Sequence, residues 1–319
     1  MTATPGSALR MSVILMVDRQ RARGARALRS LLAQSTGEAV EVLLLDFGWR
    51  EHPSLPGCEH PSVRVLRPDR GLTCGAARAW GVLEARAPIV AFLEEHCVAL
   101  SGWAEAHVNA HAAPVAAVGG EPHNGTPGVG LTDFVATIGS GPWSPPAQRG
   151  RSTGLPGNNA SYKRDTLLRY RDDLPVLLGD ENRLHAWLVR DRETLWIEPA
   201  ARFTHDFERS VRQLCFVSFL YGWVGEATQA VLDRWSPGRR ARRAVGLLAT
   251  LPARPAWPLM RLARANPRRL GLLIRNLPAF LLMHWSGTVG RLLGLALGLR
   301  RADARRLNYD LNAERQSAC

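Results

Sequence analysis

The sequence predicts an α/β fold with an open, mostly parallel central sheet before residue 210, followed by a helical region that is both basic and apolar. Three observations lead there. Short β-branched apolar runs alternate with helical spacings over the first 120 residues. The strand-like runs are apolar at consecutive positions, as in sheets covered by helices on both faces. After residue 210 strand and turn signals give way to long apolar stretches interrupted by arginines.

In order, "SVILMV" (Ser12 to Val17) predicts a first strand, "ARALRSLLAQ" (Ala25 to Gln34) a helix, and "VEVLLLD" (Val40 to Asp46) a second strand. "VRVL" (Val63 to Leu66) is a third short strand, and the Gly-punctuated "GLTCGAARAWGVLEA" a helix. "IVAFL" (Ile89 to Leu93) predicts a buried strand, "WAEAHVNAHAA" a helix and "VAAVGG" a further strand. Residues 121 to 160, rich in Gly, Pro and Ser, are expected to form long loops. "ASYKRDTLLRY", "DENRLHAWLVRD" and "TLWIEP" resume regular structure, and "VRQLCFVSFLYGWVGEATQAVL" predicts a long apolar helix. In the last apolar segment Arg275, Pro278 and Arg291 interrupt any window of roughly 18 residues, which favours a tail lying on or dipping into a membrane over a clean span. The expected divisions are a disordered stretch at 1–10, an α/β domain at 11–210 and a helical region at 211–319.

The 319 residues and 46% hydrophobic content suffice for a real core. The formal charge is +13, yet Lys163 is the only lysine among 41 basic residues. Eleven arginines and no acid fall between Arg234 and Arg275, so the basic surface is C-terminal and suits an anionic membrane. No aromatic residues interleave with the arginines in a recognisable module, so nucleic acid is not expected as a partner. Five cysteines, odd in number and without C-x-x-C spacing, predict reduced thiols in the cytoplasm. The N-terminus lacks the apolar core of a signal peptide, and the sequon at Asn159 is read as chance.

Ligands of such sheets bind at the carboxyl ends of strands, which places Asp46 and Glu94 to His96 on one rim. Acids there can hold a divalent cation, with imidazole as a further ligand; a solvated strand end is the alternative. Arg70 and Arg78 flank a Gly-rich helix start that does not match G-x-G-x-x-G but suits a diphosphate. Asp180, Glu181 and His185 cluster at a helix start after a glycine, where acids also favour the helix dipole. His107 and His111 share a helix face without a third ligand, and His52, Cys58 and His60 lack zinc-finger spacing; neither set is read as a metal site.

Taken in this order, the motifs resemble the family-2 glycosyltransferases, which have the Rossmann-like A-type nucleotide-sugar-binding fold; the resemblance covers about residues 11 to 210. The strand ending at Asp46 is similar to the one whose terminal acid contacts the nucleobase. "RGLTCGAARAWG" resembles the Gly and Arg motif, with Arg78 at the characteristic arginine, and "VAFLEEHC" with Gly102 and Trp103 resembles the Asp-x-Asp strand and the Gly-Trp after it. "PGNNASYKRD", with Asn158 and Asn159, looks like the acceptor-side loop, and "DENRL" like the motif carrying the catalytic base. Phe47 stands where a second acid is usual, and Glu94-x-His96 stands for Asp-x-Asp, as in a bacterial subgroup with an acid-acid-His triplet.

The resemblance implies an inverting transferase using a nucleotide-diphosphate sugar and a hydroxyl acceptor, and the basic, apolar C-terminal region places it as a peripheral protein on the cytoplasmic face of the membrane. Glu181 would be the base, with Asp180 and His185 beside it. Asp46, Arg70, Arg78, Glu94 and Glu95 would bind the nucleotide sugar, and Asn158, Asn159 and Trp103 the acceptor. His96, Glu94 and His205 would hold a divalent cation, manganese in preference to magnesium because imidazole suits it better. The alternative is a membrane-associated binding protein that kept the fold and lost the chemistry.

Overall fold

The computed structural model describes residues 9–34, 40–69, 71–128, 130–157, 159–265 and 270–312. Most of the expected disordered stretch 1–10 therefore lies outside the described residues, as do Arg70 and Asn158.

Strand β1 (Met11–Val17), helix α1 (Arg21–Leu32) and strand β2 (Val40–Asp46) open the chain. They are followed by β3 (Val63–Leu66), α2 (Cys74–Glu84), β4 (Ile89–Leu93), β5 (Cys97–Ala99), α3 (Trp103–Ala110) and β6 (Ala117–Asn124). β1, β2 and β4 are buried at every position, which is why their sequences read as unbroken apolar runs. Residues 121 to 160 are more ordered than expected: β6 extends into them, and α4 (Gly130–Ser140), a 3₁₀ turn at Gly141–Trp143 and β7 (Gly150–Ser152) follow. The glycines that suggested loops sit in these elements and the turns between them.

β8 (Asn159–Lys163), α5 (Arg164–Leu168), α6 (Leu174–Leu177), α7 (Glu181–Arg190) and β9 (Leu195–His205) complete the α/β part. The sheet order is β3-β2-β1-β4-β8-β6-β9-β5, with β7 also on β9. β1, β2, β3, β4, β6 and β9 run one way, and β5, β7 and β8 the other. Alternate residues of the central strands pack against α1 and α3 on one face (Val13, Leu15, Val42, Leu44) and against α2, α6 and α7 on the other (Ile14, Met16, Leu43, Leu45).

The helical region comprises α8 (Val211–Leu232), α9 (Pro237–Ala249), α10 (Ala256–Ala265), α11 (Leu270–Arg275), α12 (Leu277–Leu297) and α13 (Leu299–Asn312). Pro278 does not interrupt α12. It lies in the first turn, where its missing N–H has no intrahelical acceptor to lose. By length and composition α12 is long and apolar enough to cross a membrane, with a mean hydropathy of 1.2. Its inner side lies close against α8, where a Cβ at Gly222 would overlap the Gly287 carbonyl oxygen and one at Gly290 that of Phe219. α13 turns back to the sheet: Leu307 and Leu311 join the core on the α2 side, and Asn312 Nδ2 donates to Asp18 Oδ2 at 2.9 Å.

Candidate functional site

The turn after β4 carries Glu94, Glu95 and His96 into β5, and the pairing of β5 with β9 sets Cys97 opposite His205. His96 Nε2 thereby comes within 3.1 Å of Glu94 Oε2 and 3.0 Å of His205 Nε2. One ligand atom from each of Glu94, His96, Cys97 and His205 fits within 4.8 Å of the others. A carboxylate oxygen, two imidazole nitrogens and a thiol converging in this way form a donor set that could hold a divalent cation. Burial by itself would raise the Glu94 carboxyl, but His96, by charge and hydrogen bond, with Arg78 and His205, holds it well below the usual carboxylate range.

Glu181 joins this group through Arg78. It is the first residue of α7, and its carboxylate is held by Arg78 and lies 3.9 Å from Arg306 of α13. Arg78 also donates to Glu94 Oε1 at 3.0 Å and to the Leu178 carbonyl at 3.2 Å, so one buried guanidinium ties the two carboxylates together. Arg306 is fixed in turn by Asp310 Oδ2 at 3.2 Å, by the Gly179 carbonyl and by the Tyr221 ring at 4.8 Å. Between these groups opens a cavity of about 540 Å³. Glu94, His96, His205 and Glu181 all line it, while α4, α8 and α12 contribute Ile138, Leu214 and Phe280.

Of the site residues expected from the sequence, Glu94, His96, His205 and Glu181 meet at this cavity. Others are engaged elsewhere. Asp46 is gripped by Arg21 at 2.6 and 2.9 Å and accepts from the Gly48 N–H at 3.0 Å. Glu95 is buried against Arg23 instead of on the cavity wall, and Arg78 lies behind Glu94 and Glu181. Trp103 and Asn159, expected on the acceptor side, do not line this cavity: both are fully buried, and the indole N–H donates to Asn159 Oδ1 at 2.7 Å. His185, expected beside the base, is buried and does not line this cavity. Its Nδ1 accepts from the Leu155 N–H at 3.4 Å and its Nε2 faces Tyr162 Oη at 2.8 Å. Asp180 lines a neighbouring cavity, with Arg183 at 3.7 Å. The sequence reading missed Arg306, Tyr221, Trp143 and Asn182; the one local signal for the first was its i,i+4 pairing with Asp310.

Three buried histidines away from the cavity give a pH prediction. Burial pushes His107 and His185 down to about 3 and His111 to about 4. Ser161 Oγ sits between His107 Nδ1 at 2.8 Å and His111 Nε2 at 2.9 Å, so the pair serves the core. Unfolded imidazoles protonate near ~6.5, so between there and the folded values the unfolded chain binds more protons. Stability present above about pH 6.5 is therefore lost as pH falls through that window, at about 1.4 kcal/mol per histidine per pH unit. Urea midpoints should drop steadily from about pH 7 to about pH 5. Flat midpoints would contradict the neutral, buried state of these rings.

Comparison with known proteins gives one family. Residues 12–134 match the family model described as glycosyl transferase family 2. The matched segment runs from β1 into α4 and includes Glu94 and His96, while Glu181 and His205 lie beyond it. No curated protein matches the chain. Among solved structures, GalNAc-T7 with UDP, GalNAc and Mn2+ is 14% identical over 70% of this chain and 50% of its own, with a TM-score of 0.46. This chain thus spans half the length of that one. The mannosyltransferase PcManGT from Pyrobaculum calidifontis, in complex with GDP-Man and Mn2+, is 15% identical over 90% of this chain and 86% of its own, with a TM-score of 0.48.

Proposed function

We propose that the protein is an inverting glycosyltransferase that moves a sugar from a nucleotide-diphosphate sugar to a hydroxyl acceptor at the cytoplasmic face of a membrane. The observation that carries this reading is the one cavity that Glu94, His96, His205 and Glu181 line together. The family match over β1 to α4 supports it.

In this reading Glu181 takes the proton of the acceptor hydroxyl. The acceptor oxygen bonds to the anomeric carbon from the face opposite the diphosphate, and the carbon–oxygen bond to the diphosphate breaks, its electron pair leaving with the nucleoside diphosphate. Glu94, His96 and His205 would hold a divalent cation, which supplies positive charge against diphosphate oxygens when bound. Two imidazoles favour manganese over magnesium, which prefers oxygen ligands and keeps its water. Arg78 keeps the donor-side and acceptor-side carboxylates at a fixed separation.

Val245, Leu248, Trp257, Ile274, Leu282 and Trp285 are exposed on α9 to α12, close in sequence to the arginines that follow residue 234. Such a mixed surface suits the headgroup region of an anionic membrane.

The test is a panel of UDP-, GDP- and TDP-sugars with manganese, reading released nucleotide, the anomeric configuration of the product, and bound Mn2+ by electron paramagnetic resonance. One donor should turn over with inversion, and His205→Ala should weaken Mn2+ binding about tenfold or more, the scale of losing a metal ligand or its support. A protein that binds and turns over no donor overturns the reading. Retained configuration removes inversion, and failure to co-sediment with anionic vesicles at low salt removes the membrane placement.

A further inference from the structure

A second cavity, of about 510 Å³, adjoins the first and shares Glu181, Asn182, Tyr221 and Arg306 with it. Its distinguishing feature is four further arginines drawn from separate elements. Arg183 comes from α7, Arg243 from α9, Arg254 from the turn before α10, and Arg291 from α12.

Their charge is only partly answered. Glu226 is buried and accepts from Arg243 at 2.6 and 3.3 Å, with Arg291 at 3.9 Å. Arg183 reaches Asp180 at 3.7 Å and donates to Gln229 Oε1 at 2.9 Å, and Arg254 meets the Thr250 hydroxyl at 3.5 Å. Including the shared pair Glu181 and Arg306, five guanidiniums and three carboxylates line the cavity among the described residues, an excess of two positive charges. Burial first, and then the neighbouring guanidiniums, press Arg291 and Arg254 below the ordinary arginine value. Like charges held together in a partly desolvated pocket are relieved by an anion.

We infer that this cavity holds a phosphate group carried by the acceptor. The inference rests on the transferase reading above and names the acceptor class for it. Two positive charges match the charge of about −1.5 to −2 on a phosphate monoester near neutral pH, and guanidinium forks suit its oxygens in paired hydrogen bonds. The placement selects acceptor over donor: Glu94, His96 and His205 line the first cavity and not the second, whereas Glu181 lines both. A phosphate held by Arg254 and Arg291 leaves the rest of the acceptor to reach Glu181 at the junction. Both a soluble sugar phosphate and a lipid phosphate present this chemistry.

The experiment uses the full chain and inorganic phosphate as probe, read by calorimetry and by the shift in thermal midpoint. Wild type is expected to bind phosphate. The double variant Arg254→Gln/Arg291→Gln should lose about tenfold or more in affinity, Arg254→Lys/Arg291→Lys should recover part of it, and Arg300→Gln on α13 should lose none. Equal phosphate binding by wild type and the double glutamine variant, or none by wild type, overturns the inference. Donor hydrolysis is measured on the same samples: if it persists while phosphate binding fails, this inference alone falls, and if it is absent the transferase reading falls. Vesicles of phosphatidylcholine with phosphatidic acid, compared with charge-matched phosphatidylserine vesicles, separate the sources. A preference for phosphatidic acid that disappears in the double glutamine variant assigns the group to a lipid, and phosphate binding without that preference assigns it to a soluble acceptor.

Discussion

Glu181→Gln is expected to lower turnover by about a hundredfold or more while leaving donor binding in place, the usual scale for removing a general base. The substitution keeps shape and a hydrogen-bonding carbonyl but removes the proton acceptor. Its structural cost should be moderate. Arg78 retains Glu94 and the Leu178 carbonyl, and Arg306 retains Asp310 and the Gly179 carbonyl. A loss of about 1–3 kcal/mol is expected for weakening such partly buried charged contacts. If Glu181 only stitched the two arginines together, stability would fall by that amount and turnover would hardly change. Near-normal turnover in folded Glu181→Gln would move the proton to Asp180, because the nitrogens of His185 are already engaged with Leu155 and Tyr162.

Gly290→Leu should undo the helical roof of the cavity. In an exposed helix replacing glycine adds stability, about 1 kcal/mol for alanine, so any loss must come from what the new side chain meets. At Gly290 it meets the backbone of α8, since even a Cβ would overlap the Phe219 carbonyl oxygen and approach the Trp223 nitrogen at 3.0 Å. Backbone cannot rotate away as a side chain can, so α12 must lift or bend, at a cost of about 3 kcal/mol or more. Because α8 and α12 both line the two cavities, donor binding should weaken together with stability. Gly246→Ala in α9 is the control. A Cβ there meets nothing within 4 Å, and the thermal midpoint should hold or rise. An unchanged midpoint in Gly290→Leu would show that the helices do not pack this closely.

The sequence was most legible where burial repeats along the chain. Val40–Asp46 and Ile89–Leu93 occupy their expected ranges because strands covered on both faces leave an unbroken apolar signature, and Val63–Leu66, a half-exposed edge strand, also keeps its expected range. Glu94 and His96 were legible because a strand end places its next residues on the rim. His205 was grouped with them as a ligand, but the route that brings it there was not legible, since it depends on β5 pairing antiparallel with β9 across more than a hundred residues. Asp46, Trp103, Asn159 and His185 lie away from the first cavity, with partners the sequence did not show. Their types and positions suit ligand contacts, but the sequence does not reveal that Arg21, a neighbouring amide, a backbone N–H or a tyrosine hydroxyl already engages them. Arg306, and the roof as a whole, were invisible because apolar helical periodicity does not say which surface a helix will cover.

The return of α13 to the sheet fixes an order of events in synthesis. Arg23, in the first helix, donates to the carbonyls of Asp310 and Leu311, while Arg306 secures the loop that presents Glu181. A nascent chain that has emerged only as far as Gly298 holds every strand among the described residues, with Glu94, His96, Glu181 and His205 of the first cavity, yet it lacks Arg306 of that cavity and Leu307 and Leu311 to seal that side of the core. The α/β part therefore waits for α13, and its exposed apolar surface is open to chaperones until then. Stalled nascent chains of increasing length should gain protease resistance abruptly once Asn312 is free of the ribosome, and resistance already complete at Gly298 would rule this order out.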